Sequence, residues 1–163
     1  MPHIHAKFDF VTSAFIIHKG RVLLVYHKNY NEWLPIGGHI ELDEDPQQAL
    51  VREIREESNL KVRILGFCPP VKEQGVKPLI TPAFMDVHRV SKSHRHIAFV
   101  YFATTQSADV ILHEKEHYAF KWFSKKDLYD RRYALSKSIR FYCLKALSSA
   151  KTFGSKSRFL TKI

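Results

Sequence analysis

The sequence predicts an α/β fold, and three features of the chain lead to that prediction. Short runs rich in β-branched and aromatic residues, which favour strands, lie on both sides of a central segment at 46–58. The central segment has the signals of a helix, and a second segment near the C-terminus has apolar residues at helical spacing. With 163 residues, of which 45% are hydrophobic, the chain suits a single domain, 1–163, with its own core.

The first two strand-like runs, at 8–18 and 21–28, predict a hairpin because Lys19 and Gly20 form a turn signal between them. A short strand then leads into a glycine pair at 37–38. Beyond the central helix, we expect the remaining elements as follows: strands at 61–67, 83–90, 94–104 and 119–123, a long loop at 68–82 beside the substrate, and a short helix from 125 capped by Ser124. The strand at 94–104 is a nearly continuous apolar run and is expected in the centre of the sheet.

Local chemistry sets the limits of the central helix. Asp45 is a good N-cap, and Pro46 suits the first helical position. Asn59 can take the left-handed conformation that ends a helix. The helix is therefore predicted to cover 46–58.

Three carboxylates share one face of this helix. Glu53, Glu56 and Glu57 stand at positions i, i+3 and i+4, where like charges repel each other. One interpretation is a solvated face balanced by Arg52 and Arg55. The other is a cation site, since Mg²⁺ binds between carboxylates and substrate phosphates.

The glycine pair before the helix favours the cation site. Gly37 and Gly38 predict a turn in which backbone atoms approach an ion or a phosphate without a Cβ in the way. Such a turn would deliver backbone groups to the carboxylate face.

The spacing of these residues resembles the Nudix box, which is Gly, five residues, Glu, seven residues, then Arg-Glu-apolar-any-Glu-Glu-any-Gly-apolar. Here the pattern begins at Gly38, continues at Glu44 and ends with the run 52–60. Asn59 replaces the final glycine, and it is among the residues most tolerant of positive φ. Asp43 also stands where a glycine is frequent in the family. Weaker similarity extends over about residues 8–128.

The resemblance implies a fold, an activity and a cofactor. The fold is an α/β/α sandwich around a mixed β-sheet, and the activity is metal-dependent hydrolysis of a nucleoside diphosphate linked to another group. The cofactor is Mg²⁺ or Mn²⁺. Two alternatives remain open, namely an RNA 5′-end pyrophosphohydrolase and a non-catalytic module that senses nucleotides or binds RNA.

The resemblance also assigns roles to residues. The implied metal ligands are the carbonyl of Gly37 and the carboxylates of Glu53, Glu56 and Glu57. Glu53 or Glu56 is the expected base, and Arg52 is expected to orient the carboxylates. The positions expected to organise the loop or contact substrate are Gly38, His39, Glu41, Glu44 and a late-loop glutamate, Glu116 or Glu114, which also competes for the role of base.

Four histidines, His39, His88, His94 and His96, suggest a zinc site, but none has the spacing of a structural zinc motif. Ordinary hydrogen bonding, or contact with a phosphate or base, is the favoured interpretation.

The segment from 131 onward contains nine basic and no acidic residues, which leaves 17 basic against 16 acidic residues in the rest of the chain. It predicts a basic amphipathic helix followed by a frayed tail at 151–163. RNA, an anionic membrane surface and solvent are all compatible partners.

Two further predictions concern thiols and location. Cys68 and Cys143 are too few for a disulfide framework and predict free buried thiols. No apolar run approaches the roughly 18 residues of a membrane span, which predicts a cytoplasmic protein.

Overall fold

The structure is a computed structural model that describes the backbone of residues 7–154 and the side chains of 7–150. Its strands are β1 (Phe8–His18), β2 (Arg21–His27), β3 (Glu32–Leu34), β4 (Ile36–His39), β5 (Val62–Leu65), β6 (Phe84–Arg89), β7 (Arg95–Thr105) and β8 (His117–Phe123). The helices are α1 (Pro46–Ser58) and α2 (Lys137–Gly154), preceded by 3₁₀ turns at Asp127–Tyr129 and Arg131–Tyr133.

The eight strands form one mixed sheet with β1 and β7 as a parallel pair at its centre. The sheet has the order β3-β2-β1-β7-β5, with β4 beside β1, β6 beside β7 and β8 beside β2. The predicted hairpin of β1 and β2 is confirmed, and its turn residues Lys19 and Gly20 both have positive φ. The central position predicted for the strand that became β7 is also confirmed.

Each face of the sheet carries one helix. Side chains alternate along the strands, so the same strands offer residues to both helices. On one face, Leu50 and Ile54 of α1 pack with Tyr101 and Ala103 of β7. On the other face, the apolar stripe of α2 packs with the intervening β7 residues, Val100 and Phe102. The predicted α/β/α sandwich is therefore confirmed.

The glycine pair differs from its prediction. Gly37 and Gly38 lie within β4, opposite Ser13 and Thr12 of β1, and not in a turn. Pairing with the central strand overrides the local preference of glycine for turns. A Cβ at position 37 would lie 2.1 Å from the carbonyl oxygen of Thr12, so close backbone approach explains that glycine.

Three smaller predictions also need correction. The element after Ser124 is a 3₁₀ turn beginning at Asp127, whose carboxylate accepts bonds from the Ser124 amide and hydroxyl and holds that corner. Cys143 is buried, but Cys68 is only half-buried because it lies at the start of the 68–82 loop; both are free. The basic helix extends to Gly154, and the part of the predicted tail at 155–163 lies outside the described residues.

Among the described residues, 7–154, none of the helices combines the length and apolar character needed to cross a lipid bilayer.

Candidate active site

Helix α1 has the predicted limits, and its ends are held by side chains. The carboxylate of Asp45 accepts from the amides of Gln47 and Gln48, at 2.8 and 3.0 Å, and Gln48 returns a bond to the Asp45 amide. Asn59 has φ 52° and its amide donates to the carbonyl of Arg55. The polar face of α1 is thus fixed against the sheet.

Arg52 connects the polar residues of the site. Its guanidinium binds both carboxylate oxygens of Glu44, at 2.7 and 2.9 Å, and donates to Glu53 at 2.8 Å. A longer bond of 3.3 Å reaches Glu56, and another of 3.0 Å reaches the carbonyl of His39. These bonds hold the pKa of Glu44 below its usual value. Arg52 therefore bonds to three of the carboxylates, and the orienting role that the resemblance implies for it stays a prediction.

Glu53 lies directly above the second glycine of β4. A Cβ at Gly38 would stand 2.2 Å from Oε1 of Glu53, so only glycine leaves room for this carboxylate. The Glu53 side chain is 13% exposed, and burial raises its pKa to about 7 against the opposing effect of Arg52. The contact explains why a glycine and a glutamate 15 residues apart occur in the same motif.

Glu57 is the most buried of the three α1 carboxylates, with 4% of its side chain exposed. Its Oε2 lies 2.8 Å from Nε2 of His117, and its Oε1 accepts from the Gly37 amide at 3.4 Å. Burial raises the pKa of Glu57, while His117 opposes that change. His117 lies just before the strand predicted at 119–123; in the structure it is buried at the start of β8.

The late loop contributes one of its two candidate glutamates. Glu116 offers a carboxylate oxygen within 4.8 Å of the ligand atoms of Glu57 and His117, and it pairs with Nδ1 of His113 at 3.2 Å. Glu114 contributes its backbone carbonyl to a bond from Lys28. The structure therefore brings Glu116 to the carboxylate face.

The remaining predicted residues divide between the site and its surroundings. Glu56 is 55% exposed and faces solvent beside Arg52. Glu41 is exposed, and its backbone exchanges bonds with Glu44 in the loop before α1. The carbonyl of His39 meets Arg52, but its ring packs against His96, on the opposite face of the sheet. The His39 ring therefore lies away from the carboxylates, because adjacent residues of β4 point to opposite faces, and its expected contact with substrate stays a prediction.

The chemistry of this face fits a hard divalent cation. Carboxylates Glu44, Glu53, Glu56 and Glu57 converge there, and Arg52 is the cationic side chain that pairs with the first three. Burial is the main cause of the raised pKa values of Glu53 and Glu57, and neighbouring carboxylates add to it. Glu53, Glu56 and Glu57 offer oxygen atoms for Mg²⁺ or Mn²⁺, and Glu57, Glu116 and His117 have ligand atoms within 4.8 Å of one another.

A groove of about 930 Å³ adjoins the carboxylates along the outer side of α1. Arg52 and Glu56 form one wall, and the 68–82 loop forms another through Cys68, Lys77, Pro78 and Ile80. Part of the loop predicted to lie beside the substrate thus borders the site.

The chain is similar in sequence to known proteins. A sequence model of the NUDIX domain matches residues 9–144. A curated protein of Lactococcus lactis subsp. cremoris, named "Probable DHNTP pyrophosphohydrolase", is 26% identical over 111 residues, which are 68% of this chain and 63% of that protein. The chain thus spans somewhat less than two thirds of that relative's length.

Two solved structures have the same fold. A hydrolase of the NUDIX family from Clostridium perfringens is 36% identical, with a TM-score of 0.77, and the match covers 86% of this chain and 97% of that one. An Ap4A hydrolase from C. elegans is 20% identical with a TM-score of 0.65, covering 88% of this chain and 98% of that one, and this likeness concerns the fold alone.

Proposed function

The chain belongs to the Nudix hydrolase family, which acts on pyrophosphate bonds, and from this premise we propose that it cleaves the pyrophosphate linkage of a nucleoside diphosphate derivative with Mg²⁺ or Mn²⁺. The observation that carries the proposal is the convergence of Glu53, Glu56 and Glu57 beside Gly38, with Arg52 as the shared cationic partner of Glu53 and Glu56. Such a face binds poorly to an anionic diphosphate unless a cation lies between them.

Glu53 and Glu57 are the principal cation ligands in this proposal, with Glu56 and the Gly37 carbonyl completing the set. A divalent cation held there neutralises the diphosphate and lowers the pKa of a bound water. Arg52 keeps Glu53 and Glu56 in position through its bonds at 2.8 and 3.3 Å.

The base that accepts the proton from the attacking water is Glu53 or Glu56. Glu53 is held rigidly by Arg52 and by contact with β4, whereas Glu56 is more exposed and free to meet substrate. Glu116 is a third candidate because it reaches the same carboxylate cluster from the late loop. A base must lie within hydrogen-bond reach of the water, either directly or through one other water.

We place the part of the substrate beyond the diphosphate in the groove beside α1. Val51, Ile80 and Leu112 give it an apolar wall, and Arg55 and Lys77 supply positive charge at its edge. This combination suits a ring system attached to a phosphate chain.

The two free thiols, Cys68 and Cys143, favour a reducing cytoplasmic setting.

The test is a hydrolysis panel with Mg²⁺ and with chelator. It should include nucleoside triphosphates, DHNTP, Ap4A, nucleotide sugars, ADP-ribose and 5′-triphosphorylated RNA. We expect Mg²⁺-dependent release of a nucleotide or of (pyro)phosphate from one class. Tight binding without turnover would contradict the proposal and support a sensor, and a preference for the RNA would identify the chain as an RNA 5′-end enzyme.

The groove assignment has its own test. Leu112→Trp should raise KM for the hydrolysed compound with little change in kcat, since Leu112 lines the groove away from the carboxylates. Val71→Trp, at an exposed position outside the lining, is the matched control. An unchanged KM in the folded Leu112→Trp variant would contradict the assignment.

A further inference from the structure

A second cluster of metal-binding residue types lies on the other face of the sheet, where β1, β4, β6 and β7 come together. It contains Asp9 of β1, His39 of β4, His88 of β6, His94 just before β7, and His96 of β7. The rings of His39, His94 and His88 have their centroids 5.0, 5.3 and 5.4 Å from that of His96. None of these side chains is required by the hydrolytic site described above.

The geometry points to a metal site, and we propose that Asp9, His94 and His96 bind a borderline transition-metal ion of the Zn²⁺ class. One ligand atom from each residue lies within 4.8 Å of the other two. Oδ2 of Asp9 and Nε2 of His94 are 3.1 Å apart, close to the roughly 3.3 Å that separates ligands in a tetrahedral zinc site with bonds of about 2.0 Å.

His96 distinguishes this cluster from an ordinary group of surface histidines. It is only 9% exposed, yet within residues 7–154 its ring nitrogens have no hydrogen-bond partner. His117 and His18 each have one bonded ring nitrogen, since Nε2 of His117 binds Glu57 and Nδ1 of His18 binds the carbonyl of Thr105, although Nδ1 of His117 is also buried without a partner. A metal ion is a natural partner for a largely buried imidazole without a hydrogen bond that has carboxylate and imidazole neighbours.

The ligand types select the ion. Two imidazoles and one carboxylate suit Zn²⁺ or Co²⁺, whereas Mg²⁺ prefers oxygen ligands alone. Three protein ligands leave a fourth position for water or for another ligand. His39 is a further imidazole near the three ligands, with its Nε2 3.6 Å from the same Asp9 oxygen.

A metal ion at this site would link β1 and β7 at one end of the central parallel pair. Asp9 is directly opposite His96 in the register of β1 and β7, and Phe8 is opposite Arg95 at the start of both strands. A metal ion bound there would stabilise the folded protein, because the ligand set exists only when the two strands are paired.

Zinc binding by competition with a chromophoric chelator, in excess Mg²⁺, tests the proposal. The full chain should carry His3→Gln and His5→Gln, so that histidines before the described residues do not contribute. We expect one Zn²⁺ per chain and a rise in Tm. Asp9→Asn, His94→Gln and His96→Gln should each weaken binding by more than about 100-fold, beyond the range typical of outer-shell changes.

Two matched variants locate the ion. His88→Gln, which changes a histidine of the same cluster outside the three ligands, should keep the affinity within about 3-fold, a smaller effect than loss of even an outer-shell contact. Glu57→Gln should leave Zn²⁺ binding unchanged, because Glu57 lies on the opposite face. His94 is not in the core, so His94→Gln still tests the site if the His96 variant fails to fold.

Three outcomes would overturn the proposal. The first is wild-type binding no tighter than that of the His94→Gln variant. The second is Zn²⁺ binding that disappears in Glu57→Gln but survives in the three ligand variants, which would assign the ion to the carboxylate face. The third is an affinity that depends on His88 as strongly as on His94.

Discussion

Adjacent residues of β4 point to opposite faces of the sheet, and these two faces carry opposite chemistry. Gly38 faces α1 and lies under the carboxylate of Glu53, whereas the ring of His39 lies on the α2 face against His96. On the first face, carboxylates outnumber their cationic partner Arg52; on the second, four imidazoles outnumber their two carboxylate partners, Asp9 and Asp86. The alternation of a strand thus separates a site suited to hard cations from one suited to nitrogen-binding ions.

The largest expected effect on the rate of hydrolysis comes from removing one negative charge from the carboxylate face. Glu57→Gln keeps the side-chain volume but removes a ligand, and we expect hydrolysis to fall by about 10³-fold. Glu73→Gln, at an exposed loop position, should have no effect. Metal-dependent rates measured on both proteins check this, and full activity in a folded Glu57→Gln protein would refute the assignment.

A smaller loss is expected from moving a carboxylate without removing it. In Gly38→Ala, the added Cβ would stand 2.2 Å from Glu53 and must displace it by about 1 Å, a shift that can cost about 10²-fold in rate. Gly75→Ala provides the control, since nothing lies within 4 Å of a Cβ there and any effect should be on stability alone. Equal kcat values for the two variants would contradict the role given to the contact.

His117 tests how much the carboxylate face depends on a partner from a distant strand. His117→Phe removes the 2.8 Å bond to Glu57 while keeping a ring in the buried position. We expect Mn²⁺ affinity to fall about 10-fold, as for other residues that orient a metal ligand. The partial rescue expected in His117→Gln, which restores an N–H donor, separates this role from packing; no rescue would argue against it.

A further effect is expected on the pH dependence of stability, to which the two faces should contribute slopes of opposite sign in metal-free protein. Burial raises the pKa of Glu53 to about 7 from 4.5, so the folded state binds the extra proton. Its contribution to the free energy of unfolding should therefore fall as pH rises from about 4.5 to 7.

Burial and the neighbouring imidazoles lower the pKa of His96 to about 4 from 6.5, so the unfolded state binds the extra proton. The contribution of His96 to the free energy of unfolding should therefore be lost as pH falls from about 6.5 to 4. Denaturant unfolding of wild-type protein, Glu53→Gln and His96→Gln with chelator isolates the two slopes by difference. Slopes of the same sign would contradict the comparison.

The elements that local chemistry determines were predicted well. The limits of α1 follow from Asp45, Pro46 and Asn59, and β1 begins and ends where its β-branched and aromatic run does. The apolar stripe of α2, with Ile139, Cys143 and Ala146 packed on the sheet, also follows from helical spacing.

What the sequence could not provide is the register between distant strands. His117 meets Glu57 only because β8 pairs with β2, and Asp9 meets His96 only because β1 pairs in parallel with β7. The glycine pair was taken for a turn because its long-range pairing with β1 leaves no local trace. His94 and His96 are two residues apart, as expected for side chains on one face of a strand. This spacing was the sequence signal for the histidine cluster on the α2 face.

The central claim is that hydrolysis depends on a divalent cation held by the α1 carboxylates. The most direct measurement is Mn²⁺ binding by electron paramagnetic resonance alongside the Mn²⁺ dependence of hydrolysis, on wild-type, Glu57→Gln and His94→Gln proteins. We predict that the binding and kinetic constants coincide, that Glu57→Gln weakens both, and that His94→Gln changes neither. Hydrolysis that persists in chelator, or normal Mn²⁺ binding by Glu57→Gln, would contradict the account.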